Sequence, residues 1–516
     1  ISESARVRDE RFGGPAADFW QKHFTLEERA VPQFLAASRE KILHAGKYLH
    51  VFFSAAPSKE LPEPSGRALL RYSRSRHDYV EAIDGAYRRA SAALLGLFMS
   101  PAPDGLDLPG RLRSMRSFFF LGKADWFGQL MDMATAELEQ RAEDVPLSRL
   151  EGLLDLAIRT SSAGSDAYRG DISCGMHSFR IENACYRMTR GHAMPNEEME
   201  DDLASLASAS SAPTPPETGA FSAGAPGGRP SLLLGASAPG GTANVAAADG
   251  SGIRCFTLKY KTTWPLSIVF SRTMLLKYQV IFRHLLYCRY VERKLVEVWV
   301  DHQYTKELEQ VRASFSPSYS LRQRMLHFCR DYIYYAAVEV LEPQSHGFLQ
   351  SLAQADSIDE VLRSHERFLN TCLREVLLTE REGLYRHLSK VLNTCLTFAH
   401  NLHRCQHDLL DMQVTEESPV ALSHAGPSEL RIARMRQKNR TYLSLLGQRN
   451  YSNMLSKFKV IFESQLQGFL RQIQQESTTR YDHFLSNLAT RLDYNDYYSS
   501  LLAGPASMGP PPPSFE

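Results

Sequence analysis

Apolar residues recur at intervals of three and four along most of the chain, the spacing that lines one side of an α-helix. In 451–473, Tyr451, Leu455, Phe458, Phe462, Leu466, Phe469 and Ile473 keep it throughout. The same period predicts helices over Tyr79–Met99, Leu112–Leu138, Phe368–Leu378, Leu384–Leu402 and Tyr481–Leu492. Pro146 is placed to open another, carrying Leu150, Leu153, Leu154 and Ile158, and Val31–Phe53 reads as a short helix broken near Gly46. In Leu321–Leu341 the apolar residues (Met325, Leu326, Phe328, Ile333, Val338, Val340) lie all round, which predicts a central buried helix. Strand-like alternation is scarce, and 254–260 (RCFTLKY) is the best candidate. The pattern predicts an all-α fold of stacked helical bundles, elongated.

Within 265–299 (PLSIVFSRTMLLKYQVIFRHLLYCRYVERKLVEVW) a helix carries two distinct faces. Tyr278, Ile281, Leu285, Cys288 and Leu295 form a core stripe. The opposite side holds Arg283, Tyr287, Tyr290 and Lys294, spaced 4, 3 and 4 residues apart. Two readings fit this second face: another packing side inside a bundle, or contact with a protein partner, where Tyr and Arg are enriched.

Three stretches interrupt the period. Residues 54–66 and 413–430 read as loops. Residues 206–252, almost wholly Ala, Gly, Ser, Pro and Thr, have too few large apolar side chains to offset the entropy of ordering, so a disordered insertion is expected. A disordered tail is expected over 503–516. At 516 residues the chain is long enough for about three domain-sized units. It begins at Ile1 rather than Met, which points to a fragment or a processed product.

Charge adds little: 59 Lys and Arg stand against 58 Asp and Glu, which argues against a general nucleic-acid or anionic-membrane binder. No run approaches the ~20 apolar residues of a membrane span. The eight cysteines lie far apart with no C-x-x-C, as buried free thiols in a reducing compartment such as the cytosol would. His400, His403 and His407 share one helix face at a spacing used by zinc ligands, but Asn401 and Arg404 occupy the positions where a catalytic Glu would follow. A solvated polar face is the reading adopted, with no metal and no cofactor. There is no phosphate-binding loop, no G-x-S-x-G elbow and no carboxylate pair singled out for acid–base work. The basic run 431–440 (RIARMRQKNR) reads as the exposed side of the following helix. The residues do not describe an enzyme.

Several longer blocks resemble one family. KTTWPLSIVFSRTMLLKYQVIFRHLLYCRYVERKL (261–295) is similar to the signature of the gamma-tubulin complex components, in which a K-W-P-L-S stretch opens a long helix. Trp264, Pro265, Leu266, Ser267, Tyr278, Phe282, Arg283, Cys288, Val291, Glu292 and Arg293 stand at the expected offsets. Residues 41–52, 112–138, 321–343, 368–379 and 491–498 (RLDYNDYY) resemble further family blocks. The resemblance implies two helical modules, the end of an N-terminal lateral-contact module over 1–77 and a gamma-tubulin-binding module over 78–502. It implies gamma-tubulin as partner, with other components beside it and component 3 as lateral neighbour, at a microtubule-organising centre. It also makes Arg283, Tyr287, Tyr290 and Lys294 candidate gamma-tubulin contacts. A generic helical tether is the alternative that composition and periodicity leave open.

Overall fold

The computed structural model describes residues 32–57, 76–101, 103, 105–177, 179–189, 251–304, 309–415, 451–480 and 483–499. The expectations for 206–250, 416–440, 503–516 and most of 54–66 concern residues outside this set. In chain order the helices of more than two turns are α1 (Arg39–Ala55), α2 (Arg76–Met99), α3 (Leu108–Phe119), α4 (Asp125–Leu138), α5 (Leu147–Thr160) and α6 (Ile181–Thr189), and a single helical turn, Gly252–Cys255, leads into β2. After β2 come α7 (Arg272–Tyr304), α8 (Glu309–Tyr334), a wider π-wound segment (Tyr335–Leu341), α9 (Glu342–Gln354), α10 (Ile358–Glu375), α11 (Glu382–Thr415), α12 (Tyr451–Arg480) and α13 (His483–Leu492). Strands β1 (Ile172–Met176) and β2 (Phe256–Tyr260) pair antiparallel, with Ile172 opposite Tyr260 and Met176 opposite Phe256. The all-α class holds, and the expected strand finds its partner in a stretch that does not alternate.

The described residues fall into two compact units, one within 1–122 and 262–516, the other within 123–261. Their division corrects one expected helix. The amphipathic run 112–138 is two helices, because the chain turns at Leu121 (φ 53°) and Gly122 before α4 begins. A second correction concerns α1, which runs through Gly46 unbroken; no neighbouring atom lies where a Cβ at Gly46 would stand.

In the smaller unit, α4 and α5 pack on each other and α5 packs on β1. Trp126, Leu130, Leu150 and Leu154 are buried there. Asp125 accepts a hydrogen bond from Ser162 N at 2.6 Å, and that amide holds its carboxyl below the usual range.

The larger unit is organised around α7, which packs against α8, α10, α11 and α3. From Leu276 to Val291 nearly every side chain is buried, polar ones included. Phe119 and Phe120 lie against Tyr278, and Phe119 also meets Phe282. On the far side of α11, α12 contributes Phe462, Leu466, Phe469 and Ile473 to the core, as its spacing predicts. Thr394 Oγ1 donates to Gln465 Oε1 at 2.7 Å between these two helices.

Each end of α10 is tied down. At its start, Asp359 accepts from Tyr87 Oη at 2.6 Å and lies 3.4 Å from His44 Nδ1, while Ile358 N donates to Ser91 Oγ at 3.2 Å. At its finish, Leu378 N donates to Leu373 O at 2.9 Å and Leu377 N to Arg374 O at 3.1 Å, the two bonds of a Schellman end. Leu377 takes the left-handed conformation (φ 69°) where glycine is usual. That costs a leucine about 1–2 kcal/mol, which the complete burial of its side chain, worth about 1.5–3 kcal/mol, offsets.

The two carbonyls this turn leaves over, those of Glu375 and Val376, accept from Tyr335 Oη (2.9 Å) and Tyr332 Oη (3.0 Å). Since Tyr332 spends its proton on Val376, the 2.6 Å contact between Tyr332 Oη and His284 Nε2 requires the imidazole to donate. Burial lowers the His284 pKa to about 3, so the ring is neutral. Burial likewise lowers the pKa of His365, which meets Tyr278 Oη at 3.0 Å, to about 4.

Both histidines have folded-state pKa values below the ~6.5 of an unfolded imidazole, so below that pH the unfolded chain binds more protons and stability falls. Between pH 7 and pH 5 each should remove up to about 2 kcal/mol, with little effect above pH 7. Urea unfolding at several pH values reads the slope, and His284→Gln should flatten it.

Candidate protein-interaction surface

The candidate face on α7 lies inside the bundle. Arg283 is 3% exposed, Tyr287 8% and Tyr290 2%, and only Lys294 reaches toward solvent. Tyr287 Oη donates to Asn393 Oδ1 of α11 at 2.6 Å. Lys294 Nζ pairs with Glu297 Oε2 at 2.9 Å and sits 5.6 Å from the Tyr290 ring centroid. The second face of α7 is therefore a second packing side, and Arg283, Tyr287 and Tyr290 are withdrawn from any partner surface in this structure. The physical reason is the number of helices around α7, which turns both faces inward.

The expectation of a central buried helix over 321–341 is corrected in the other direction. Its inner side is buried (Met325, Leu326, Phe328, Ile333, Val340), but His327, Arg330, Tyr334 and Val338 recur at helical spacing on the outside. Tyr334 and Val338 are each 45% exposed. The Arg491 guanidinium of α13 lies 4.2 Å from the Tyr334 ring centroid and forms an ion pair with Glu339. Burial raises the Asp331 carboxyl above its ordinary range, against His327 and Arg491, which lower it.

Beyond α13 the chain folds over Asp493, whose buried carboxylate accepts from Tyr498 N (2.9 Å), Ser499 N (2.7 Å) and Ser499 Oγ (2.6 Å). This turn leaves Tyr494 88% exposed and Tyr497 46% exposed. Arg324 of α8 clamps the turn from the other side. Its Nη1 pairs with Glu463 at 2.7 Å, its Nη2 donates to Tyr498 Oη at 2.8 Å, and its guanidinium faces the Tyr497 and Tyr498 rings. Tyr334, Val338, Arg491, Tyr494 and Tyr497 thus combine accessible aromatic area with cation–π pairing on anchored backbone, the side-chain chemistry of binding hot spots. Sequence reasoning noticed RLDYNDYY only as a block. The usable signal was the run of a buried Asp followed by three tyrosines.

His400 and His403 are exposed on α11, and the side chain of His407 lies outside the described set. Among the described residues no group of three or more His, Cys, Asp or Glu side chains could hold a metal ion, and no helix is long and apolar enough to cross a membrane. All of the cysteines but Cys405 are buried.

Residues 108–498 match the model of the gamma tubulin complex component C-terminal domain, and residues 1–100 that of the N-terminal domain. The chain belongs to the gamma-tubulin complex component family. It is 30% identical to gamma-tubulin complex component 2 of Mus musculus over 94% of its own length and 49% of that protein. It is 27% identical to the Drosophila melanogaster component 2 homolog over 95% of its length and 51% of that protein. Against the spindle pole body component alp4 of Schizosaccharomyces pombe the figures are 28%, 78% and 52%. The chain spans about half the length of these relatives.

The burial of Arg283 sets up a test. Arg283→Glu should destabilise the family fold by about 3–5 kcal/mol, because it reverses a charge inside the bundle. Leu285→Ala should cost ~2–5 kcal/mol through a cavity. Chemical unfolding of both variants should show comparable losses; an Arg283→Glu protein as stable as wild type would mean that this side chain reaches water.

Proposed function

We propose that the protein is a non-enzymatic scaffold subunit that holds gamma-tubulin and, beside other components of its family, arrays it as a template for microtubule nucleation. The observation that carries this reading is the family membership: two domain models match consecutively over nearly the whole chain. The names of the relatives, component 2 and a spindle pole body component, support a place at a microtubule-organising centre, centrosome or spindle pole. Component 3 is the proposed lateral neighbour, with 1–77 on the lateral-contact side and 78–502 carrying gamma-tubulin. The physical gain is avidity, since tubulins held at fixed spacing are spared free association. Any nucleotide would belong to the tubulin. A generic tether would not share both family domains.

Within the larger unit, the exposed Tyr334–Arg491–Tyr494 surface is the proposed gamma-tubulin contact in place of the α7 face. Its composition supports this, with aromatic and arginine side chains at the surface on anchored backbone.

Size-exclusion chromatography of the chain with gamma-tubulin at micromolar concentration should give a shared peak, and separate elution would overturn the reading. Tyr334→Ala or Arg491→Glu should weaken binding by about tenfold or more while leaving thermal unfolding within a few degrees of wild type. Unchanged affinity in both variants would move the contact elsewhere.

A further inference from the structure

From Glu309 to Gln354 the chain is helical without interruption, but its winding widens over Tyr335–Leu341. There Glu342 N donates to Ala337 O, a bond spanning five residues instead of four. The inward side chains follow the wider step: Tyr335 and Ala336 are buried, and the next buried pair is Val340 and Leu341, five residues on. On a regular α-helical course Glu339, four residues after Tyr335, would share the buried side. In the structure Glu339 is partly exposed and reaches Arg491, which in turn covers Tyr334. The wide turn therefore decides that an acid and not Val340 stands at the surface beside Tyr334 and Val338.

One side chain anchors that turn from below. Tyr335 is fully buried, and its hydroxyl donates to Glu375 O at 2.9 Å. This carbonyl belongs to the last residue of α10, where no further helical amide is available. The Schellman end at Leu377 fixes where it points. Tyr332 makes the equivalent bond to Val376 O but lies one turn earlier, before the winding widens.

We propose that Tyr335 is a positioning residue for partner binding: its bond to the end of α10 holds the wide turn, and the wide turn presents Tyr334, Val338 and the Glu339–Arg491 pair to gamma-tubulin. This rests on the reading of that surface as the gamma-tubulin contact. Tyr335 touches no partner itself and acts through the register of the backbone.

The test uses the full chain and three variants, Tyr335→Phe, Tyr332→Phe and Tyr334→Ala. Tyr335→Phe removes a single oxygen and keeps the ring. Hydrogen–deuterium exchange of the free chain should show amides of 337–342 exchanging about tenfold faster in Tyr335→Phe, with 321–334 unchanged, the effect of one lost hydrogen bond. Tyr332→Phe should leave 337–342 within about twofold of wild type. Titration with gamma-tubulin should show Tyr335→Phe binding about tenfold more weakly and Tyr332→Phe binding nearly as wild type. If Tyr334→Ala weakens binding and Tyr335→Phe does not, the positioning role is overturned. It is equally overturned if Tyr335→Phe and Tyr332→Phe accelerate exchange alike across the whole bundle, since both then act only on stability. If the wild-type chain fails to bind gamma-tubulin, the reading of the surface fails, and the exchange of 337–342 alone decides whether Tyr335 holds the turn.

Discussion

The bundle depends on burying α7 from every side. A helix buried in this way takes polar groups with it, and each must meet a partner or cost the free energy of its desolvation. The structure meets much of the demand locally. Tyr287 reaches Asn393, Tyr278 meets His365, and His284 passes its hydrogen bond through Tyr332 to a backbone carbonyl. Arg322, facing the Trp299 ring at 5.0 Å, donates to Leu295 O at 3.2 Å and so ties α8 to α7. These contacts explain why the interior uses Tyr and His where Leu would bury as much surface: they fix which helix lies against which.

The same accounting reaches the end of α10. A helix terminus inside a protein leaves carbonyls without amides. Here a left-handed leucine closes two of them and two tyrosine hydroxyls take the rest, so backbone strain at Leu377 and the hydroxyls of α8 and the π-wound segment belong to one arrangement. Removing either tyrosine hydroxyl leaves a buried acceptor unsatisfied.

Much of this was legible in the sequence. The 3/4 spacing located the helices, and α12 keeps its predicted face from Tyr451 to Ile473. What failed depended on distant neighbours. Arg283 and Tyr290 look like surface residues by type, and only the helices packed round α7, among them α10 and α11 some 70 to 130 residues further along the chain, turn their side inward. Val338 looks like core by type, yet the widened winding leaves it outside. A shift of one residue in register is too small to see in a pattern with a period of 3.6. The turn between α3 and α4 was hidden because Leu121 adopts a conformation that its side chain does not advertise. The family blocks were legible because they preserve order and wording across long stretches, a signal independent of periodicity.

α10 has a mechanical meaning beyond packing. Its first turn is bonded to Tyr87 and Ser91 of α2 and lies beside His44 of α1, helices within the N-terminal family match. Its last turn carries the carbonyls that hold Tyr332 and Tyr335. An 18-residue helix is about 27 Å long. Between those two clamps the helix is unbroken, so it is a strut that sets the spacing between the α1–α2 pair at one end and the tyrosine-bearing segment at the other.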